Sequence, residues 1–306
     1  MANRIRTTVL LAILTVFLIW IGGLLGGRQG MLIAPVLAAG MNFFSYWFSD
    51  KVVLRMYNAH PVSRDQAPEL FAAVENLTQR AGLPMPKICV IPEQAPNAFA
   101  TGRNPEHAVV AVTEGLLQLL DRDESEGVLA HELGHVKNRD ILVGTIAATL
   151  AGAVMILANM ARWSALFGGG RSDDEGGGMF GLIAMSILAP LAAVVIQMAV
   201  SRSREYLADG TAADLTGHPE GLAGALEKLG AYSRRIPMKA NPSTAHMFIV
   251  NPLSGGGLMS LFSTHPPLER RIARLRGRPQ AGRHPQPRGR ADLNDQGRAF
   301  WDRLSK

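Results

Sequence analysis

Four stretches of the chain are apolar along their whole length rather than on one face, and they divide everything else. Thr7–Leu25, Met31–Phe48, Ile141–Met160 and Met179–Val200 carry almost no charge. Each approaches the roughly 20 residues that cross a bilayer as a helix. The second is interrupted by Pro35, Gly40 and Asn42 and ends in Phe43, Phe44, Tyr46, Trp47 and Phe48, rings suited to the headgroup zone. Arg4 and Arg6 before the first stretch also fit a cleaved signal peptide. Its long core and the second apolar stretch that follows at once argue for a retained span. A buried helical pair in a large soluble core is the alternative for the last two, and their length and lack of charge argue against it. The pattern therefore predicts two membrane hairpins.

Between and after the hairpins the pattern is that of a water-soluble domain. Leu70, Phe71, Val74 and Leu77 recur at helical spacing, which predicts a helix over 68–81 capped by Asp65 and ended by Gly82 and Pro84. Short apolar runs at Lys87–Ile91, Asn97–Thr101 and Ala108–Thr113 read as strands, with Gly102, Asn104 and Pro105 turning the last two into a hairpin. Glu114–Leu120 reads as a short helix. Asp123 or Ser125 starts the next, expected to run on into the third apolar stretch. Helices are predicted at 201–215, 219–232 and 266–276, the last with Leu268, Ile272 and Leu275 on one face. A Pro/Gly/Ser/Asn-rich loop covers about 235–264, and no internal repeat is present.

The basic residues give the apolar stretches a direction. Arg4, Arg6, Lys51, Arg55, Lys137, Arg139, Arg202 and Arg204 flank one side, whereas the two short connections hold only Arg28, Arg162 and Arg171 against Asp173, Asp174 and Glu175. By the positive-inside rule both termini and the soluble segments are cytoplasmic. The net charge of +6 would suit a nucleic-acid partner, but residues 270–306 alone carry net +8, leaving −2 elsewhere. The charge belongs to an Arg/Gly/Pro-rich tail from about Gly277, a solvated extension or a contact for anionic headgroups. With no aromatic platform behind the tail, no nucleic-acid partner is expected. One cysteine, Cys89, lies in a strand-like run and reads as a packed thiol.

The chemistry sits where the soluble pattern meets the third apolar stretch. His131-Glu132-Leu133-Gly134-His135 on a helix puts two imidazoles at i and i+4, one above the other, able to hold one zinc ion. Glu132 lies near the metal without ligating it, where it can take a proton from water. A catalytic zinc needs a third protein ligand, and the hairpin says where to look. His135 lies six residues before Ile141, roughly 9 Å, and Glu205 five residues after Val200, roughly 7.5 Å, at 1.5 Å per residue. Glu205 is therefore level with the histidines. Asp209, one turn on, can hydrogen-bond a zinc-bound histidine. A solvated acidic pair at i,i+4 is the plainer reading of Glu205 and Asp209.

HELGH at 131–135 with Asn138 and Asp140, SRSREYLAD at 201–209, NAFATG at 97–102 and HPPLERRI at 265–272 together resemble the HtpX-type membrane zinc metalloproteases, relatives of the CAAX prenyl proteases. The resemblance runs from the first apolar stretch to about Arg276. It implies one zinc per chain held by His131, His135 and Glu205, with Glu132 as catalytic base. It also implies that Asn97, Ala98, Phe99, Ala100 and Thr101 form the edge strand that holds an extended substrate, and that His265 steadies the oxyanion. Arg270 is a candidate to pair with Asp209 or another buried carboxylate. As ordinary structure these would be a sheet edge, a helix-start histidine and a surface arginine. His246 reads as a loop residue, and His60, His107, His218 and His284 as structural or exposed.

The expected fold class is α+β: a four-helix transmembrane region of two hairpins, with a cytoplasmic, mostly helical zincin-like protease domain bearing a small β-sheet. The chain divides into a hairpin at 1–50, protease segments at 51–140 and 201–276 around a second hairpin at 141–200, and the tail at 277–306. The resemblance implies an endopeptidase of a bacterial inner membrane, cutting misfolded or damaged membrane proteins at their cytoplasmic regions, with the lipid bilayer and protein substrates as its partners. An intramembrane or prenyl-type metalloprotease is one alternative; the charges around HELGH and the small number of spans speak against it. A non-catalytic membrane scaffold with a structural zinc site is the other; such a site has no use for Glu132.

Overall fold

The computed structural model describes residues 46–148, 202–233, 244, 247–250 and 266–277, with scattered positions between 9 and 44. In chain order its elements are β1 (His60–Pro61), α1 (Pro68–Ala81), β2 (Lys87–Ile91), β3 (Ala98–Thr101), β4 (Val109–Thr113), α2 (Glu114–Leu119), α3 (Arg122–Lys137), α4 (Arg202–Thr216), α5 (Pro219–Ser233) and α6 (Leu268–Arg276). Among the described residues, no helix is long and apolar enough to cross a membrane. The Met179–Val200 stretch lies outside them, as do most of Thr7–Leu25 and Ile141–Met160 and part of Met31–Phe48.

The sheet has the order β1-β2-β4-β3. β1 and β3 pair antiparallel with their neighbours, while β2 and β4 run parallel. Its central strands β2 and β4 are apolar except at Lys87 and Thr113, because both faces are covered. Ile88, Val90, Ala98, Ala100, Val110 and Val112 face the main core with α1 and α3. Cys89, Ile91, Phe99, Val109 and Ala111 face the other way, against Val53, Tyr57, Ala148 and Phe248. There the rings of Tyr57, Phe99 and Phe248 meet at 5.0–6.0 Å between centroids. Burial pushes the Cys89 thiol up and leaves it unreactive at neutral pH.

α3 is the central helix, and most of its surface is covered, as a helix in the middle of a domain requires. It starts earlier than the sequence suggests, through a capping box. The Asp121 carboxylate accepts from Glu124 N–H, and the Glu124 carboxylate accepts from Asp121 N–H. Two glycines let neighbouring helices approach it. A side chain at Gly127 would meet the Leu222 backbone of α5 at 2.5 Å, and one at Gly134 would meet Ala208 of α4 at 3.2 Å.

The end of α3 corrects the expected continuous helix. It stops at Lys137, and Arg139 adopts the left-handed conformation at φ 57°, unusual for a side chain with a Cβ. Asp140 N–H returns to the His135 carbonyl at 2.9 Å, and residues 141–148 then form a new helix. The kink brings Asp140 back towards α3.

Candidate metal centre

α3 and α4 cross beside Gly134 and Ala208, and the close approach sets Glu205 opposite the two histidines. His131 Nε2 and His135 Nε2 face each other at 3.2 Å. The Glu205 carboxylate lies 3.8 Å from His131 Nε2 and 3.6 Å from His135 Nε2. Potential ligand atoms of all three lie within 4.8 Å of one another. Donors on one tetrahedral zinc, with bonds of about 2.0–2.1 Å, stand about 3.3 Å apart. The two-nitrogen, one-carboxylate set therefore fits such an ion in chemistry and spacing.

Each imidazole is backed by a carboxylate, and each carboxylate by an arginine. His131 Nδ1 lies 3.0 Å from Asp209 Oδ1, which assigns its proton to Nδ1 and leaves Nε2 to ligate. Arg271 grips Asp209 with two parallel hydrogen bonds, Nε at 2.9 Å and Nη2 at 2.7 Å. It also reaches within 3.7 Å of Glu205. On the other side His135 Nδ1 lies 3.4 Å from Asp140 Oδ2, and Arg204 lies 3.7 Å from Asp140 Oδ1.

This arrangement corrects one expectation. Arg270 is exposed, and the arginine on Asp209 is Arg271, which is wholly buried. Leu268, Arg271, Ile272 and Leu275 follow the i, i+3, i+4, i+7 stripe that turns inward, and position 270 falls outside it. An arginine on an otherwise apolar stripe was the available signal. In sequence Asp140 was visible as a motif member, and Arg204 as a motif member and a flanking positive charge. The sharp turn at Arg139, which brings Asp140 back to His135, has no sequence mark.

Burial and neighbours tune the titrating groups. His131 is held down at about 4, chiefly by burial, with Asp209 opposing and the charges of Arg271 and His135 adding. Burial lifts Glu132 to about 7. For His135 burial works against the charged form, but the Asp140 hydrogen bond and the Glu205 and Glu132 carboxylates outweigh it and hold the group at about 9. Burial would lift Asp209, yet Arg271 and His131 keep it at about 2.

The sheet edge lies alongside. β3 is an edge strand packed against α3, and the Ala100 backbone favours the charged form of the Glu132 carboxylate. Ala98 is already engaged by its own chain. Its N–H bonds to Asn97 Oδ1 at 3.1 Å and its carbonyl accepts from Ile249 N–H at 3.2 Å. Asn97 Nδ2 donates to the Val250 carbonyl and Arg271 Nη1 to the Ile249 carbonyl. His265, His246 and His284 lie outside the described residues. His60 and His107 are exposed, and His218 lies 3.8 Å from Asp123, outside the histidine–Glu205 cluster.

Replacing Asp140 by Ala is expected to weaken zinc binding by roughly 10–100-fold, the usual cost of losing a carboxylate behind a ligating histidine. Chelator competition would measure it, and an unchanged affinity would show that Asp140 does not orient His135.

A family model described as Peptidase family M48 matches residues 64–279. A "Protease HtpX homolog" of Desulforapulum autotrophicum is 65% identical over 308 residues, covering 99% of this chain and all of that one. Another of that name from Pyrococcus furiosus is 59% identical over 273 residues, covering 89% of this chain and 94% of its own. In three dimensions the fold resembles the crystal structure of S. mikatae Ste24p, with a TM-score of 0.50 and 22% identity. That match covers 86% of this chain but 62% of the Ste24p chain.

Proposed function

Because the chain belongs to peptidase family M48 and is a membrane-anchored metalloprotease, we propose that it is a zinc endopeptidase cutting misfolded or damaged membrane proteins at their cytoplasmic regions. The observation that carries the reading is the convergence of His131, His135 and Glu205 beside a buried Glu132. One zinc held by those three would acidify a water and polarise the scissile carbonyl. Glu132, lifted to about 7, is suited both to accept the proton of the attacking water and to return it to the leaving amine. Asp209 and Asp140 hold the two imidazoles in the ligating orientation. His265, just ahead of α6, belongs to the proposal as an aid to the oxyanion.

The substrate lies along β3, from Asn97 to Thr101, by main-chain pairing at the open sheet edge. To do so it exchanges its own N–H for that of Ile249 at the Ala98 carbonyl. The anchor is two hairpins in a bacterial inner membrane, with both termini and the metal centre cytoplasmic. The exposure of Val16, Leu32, Ile33, Val36 and Phe43 supports lipid contact for the first hairpin.

The reading is tested at Glu205. Its replacement by Ala is expected to leave two ligands, strip most of the zinc during purification in detergent and abolish cleavage of an unfolded protein such as casein. Elemental analysis showing full zinc content in that variant would overturn the ligand set.

A further inference from the structure

The edge strand has two unlike ends, and that difference gives a bound polypeptide a direction. At its Thr101 end β3 meets the start of the third apolar stretch. Thr101 Oγ1 hydrogen-bonds Thr145 Oγ1 at 3.0 Å, and Thr145 in turn donates to the Ile141 carbonyl at 2.6 Å. Both residues belong to the first turns of the third apolar stretch. Just beyond, Arg103 stacks its guanidinium over the ring of Trp47 at 4.7 Å. Trp47 lies among the aromatics that close the second apolar stretch, in the kind of cluster that marks a headgroup boundary.

At the opposite end the strand is preceded by the buried residues 95–97 and closed by its own chain, with water reached a few residues farther on. Pro92 and Gln94 there are exposed, and Gln94 bonds Glu114 at the surface. Ile249 and Val250 lie across this end, bonded to Ala98, to the Asn97 side chain and to Arg271.

We propose that a substrate enters at the Thr101 end and runs antiparallel to β3, so that its membrane-embedded segment lies N-terminal to the bond that is cut. The proposal rests on the reading of β3 as the substrate strand and of the apolar stretches as membrane spans. Antiparallel pairing is slightly the more stable per residue and lets one residue exchange both bonds with a single partner. In that direction the residues nearest Thr101 precede those nearest Ala98. The membrane segment therefore comes first, then the cleaved bond beside Glu132, then the released portion.

The distances also limit how far from the bilayer the cut falls. α3 packs against β3, and the Ala100 backbone, one residue from Thr101, favours the charged form of Glu132. At about 3.4 Å per residue of strand, the scissile bond lies only a few residues from the point where the substrate leaves the apolar zone. The substrate class is thus a membrane protein with an unfolded stretch directly following a transmembrane helix on the enzyme's catalytic side. A stretch directly preceding such a helix would have to enter from the closed, aqueous end.

The test uses the full-length zinc-loaded enzyme in proteoliposomes with three reporters that share one disordered peptide. In the first the peptide follows a single apolar helix, in the second it precedes the helix, and in the third it is free. Both tethered forms present the peptide on the catalytic side. The helix-first reporter is expected to be cut with kcat/KM roughly tenfold or more above the helix-last one, since only it can use tethering to raise its local concentration in the productive direction. Mass spectrometry of the fragments is expected to place the cut within about eight residues of the helix end, given the strand rise.

Equal or reversed rates for the two tethered forms, with the free peptide cut by wild type and spared by Glu132→Gln, would overturn the polarity and leave the peptidase reading standing. Failure to cut any of the three would remove that reading and the proposal with it.

Discussion

Glu132→Gln is expected to leave zinc content at the wild-type level while lowering kcat for an unfolded substrate by about 10²–10⁴-fold, the range attributed to a positioned general base. That loss corresponds to roughly 3–5 kcal/mol of transition-state stabilisation. Two features separate it from a folding defect. Glu132 is not among the three residues whose donor atoms converge, so the cluster of His131, His135 and Glu205 stays whole. The glutamine keeps the size of the side chain and an acceptor oxygen facing the Ala100 backbone. It also removes a buried acid whose pKa burial and the neighbouring Glu205 already push upward, so thermal stability is expected to be equal or higher. Cleavage within a few-fold of wild type, with contaminating proteases excluded, would remove Glu132 from the mechanism.

Glu132 and the histidines were legible in sequence because helical periodicity is local: five residues suffice to put two imidazoles on one face. The meeting of Glu205 with that pair was legible for a less local reason. Two helices joined by a hairpin must return to the same level, and counting residues from its two ends gives the height. Three of the four strands were legible from apolar runs; β1, only His60–Pro61, has no such run, and the parallel pairing of β2 and β4 was not legible, since run length says nothing of strand direction. Arg271 and Asp140 mark where such reasoning stops. The apolar stripe of Leu268, Ile272 and Leu275 favours Arg271 over Arg270, but that this face meets Asp209 is a property of the packing of α6 and leaves no mark in the sequence. Finding Asp140 requires the left-handed turn at Arg139, and Arg is not a residue that announces one. The contact of Ile249 with β3 joins positions about 150 residues apart and leaves no periodic trace.

The consequence of that one-residue difference is measurable. Arg271→Met is expected to destabilise the protein by roughly 3–5 kcal/mol, because it leaves the buried Asp209 carboxylate without its bidentate partner. Arg270→Met, at an exposed position on the same helix, is expected to shift stability by no more than about 0.5 kcal/mol. The penalty comes from the uncompensated carboxylate rather than from the lost arginine packing, and a double variant separates the two. Arg271→Met combined with Asp209→Leu removes both charges, and replacing a buried ion pair by apolar groups of similar volume is often neutral. The double variant is therefore expected to recover most of the lost stability while zinc affinity stays low, since His131 Nδ1 no longer has an acceptor at 3.0 Å. Denaturant unfolding in detergent with chelator present reads the first quantity, and chelator competition the second. Equal losses for Arg270→Met and Arg271→Met would show that α6 does not present Arg271 to the centre. A double variant as unstable as the single one would show that the buried carboxylate is not what the arginine is there to hold.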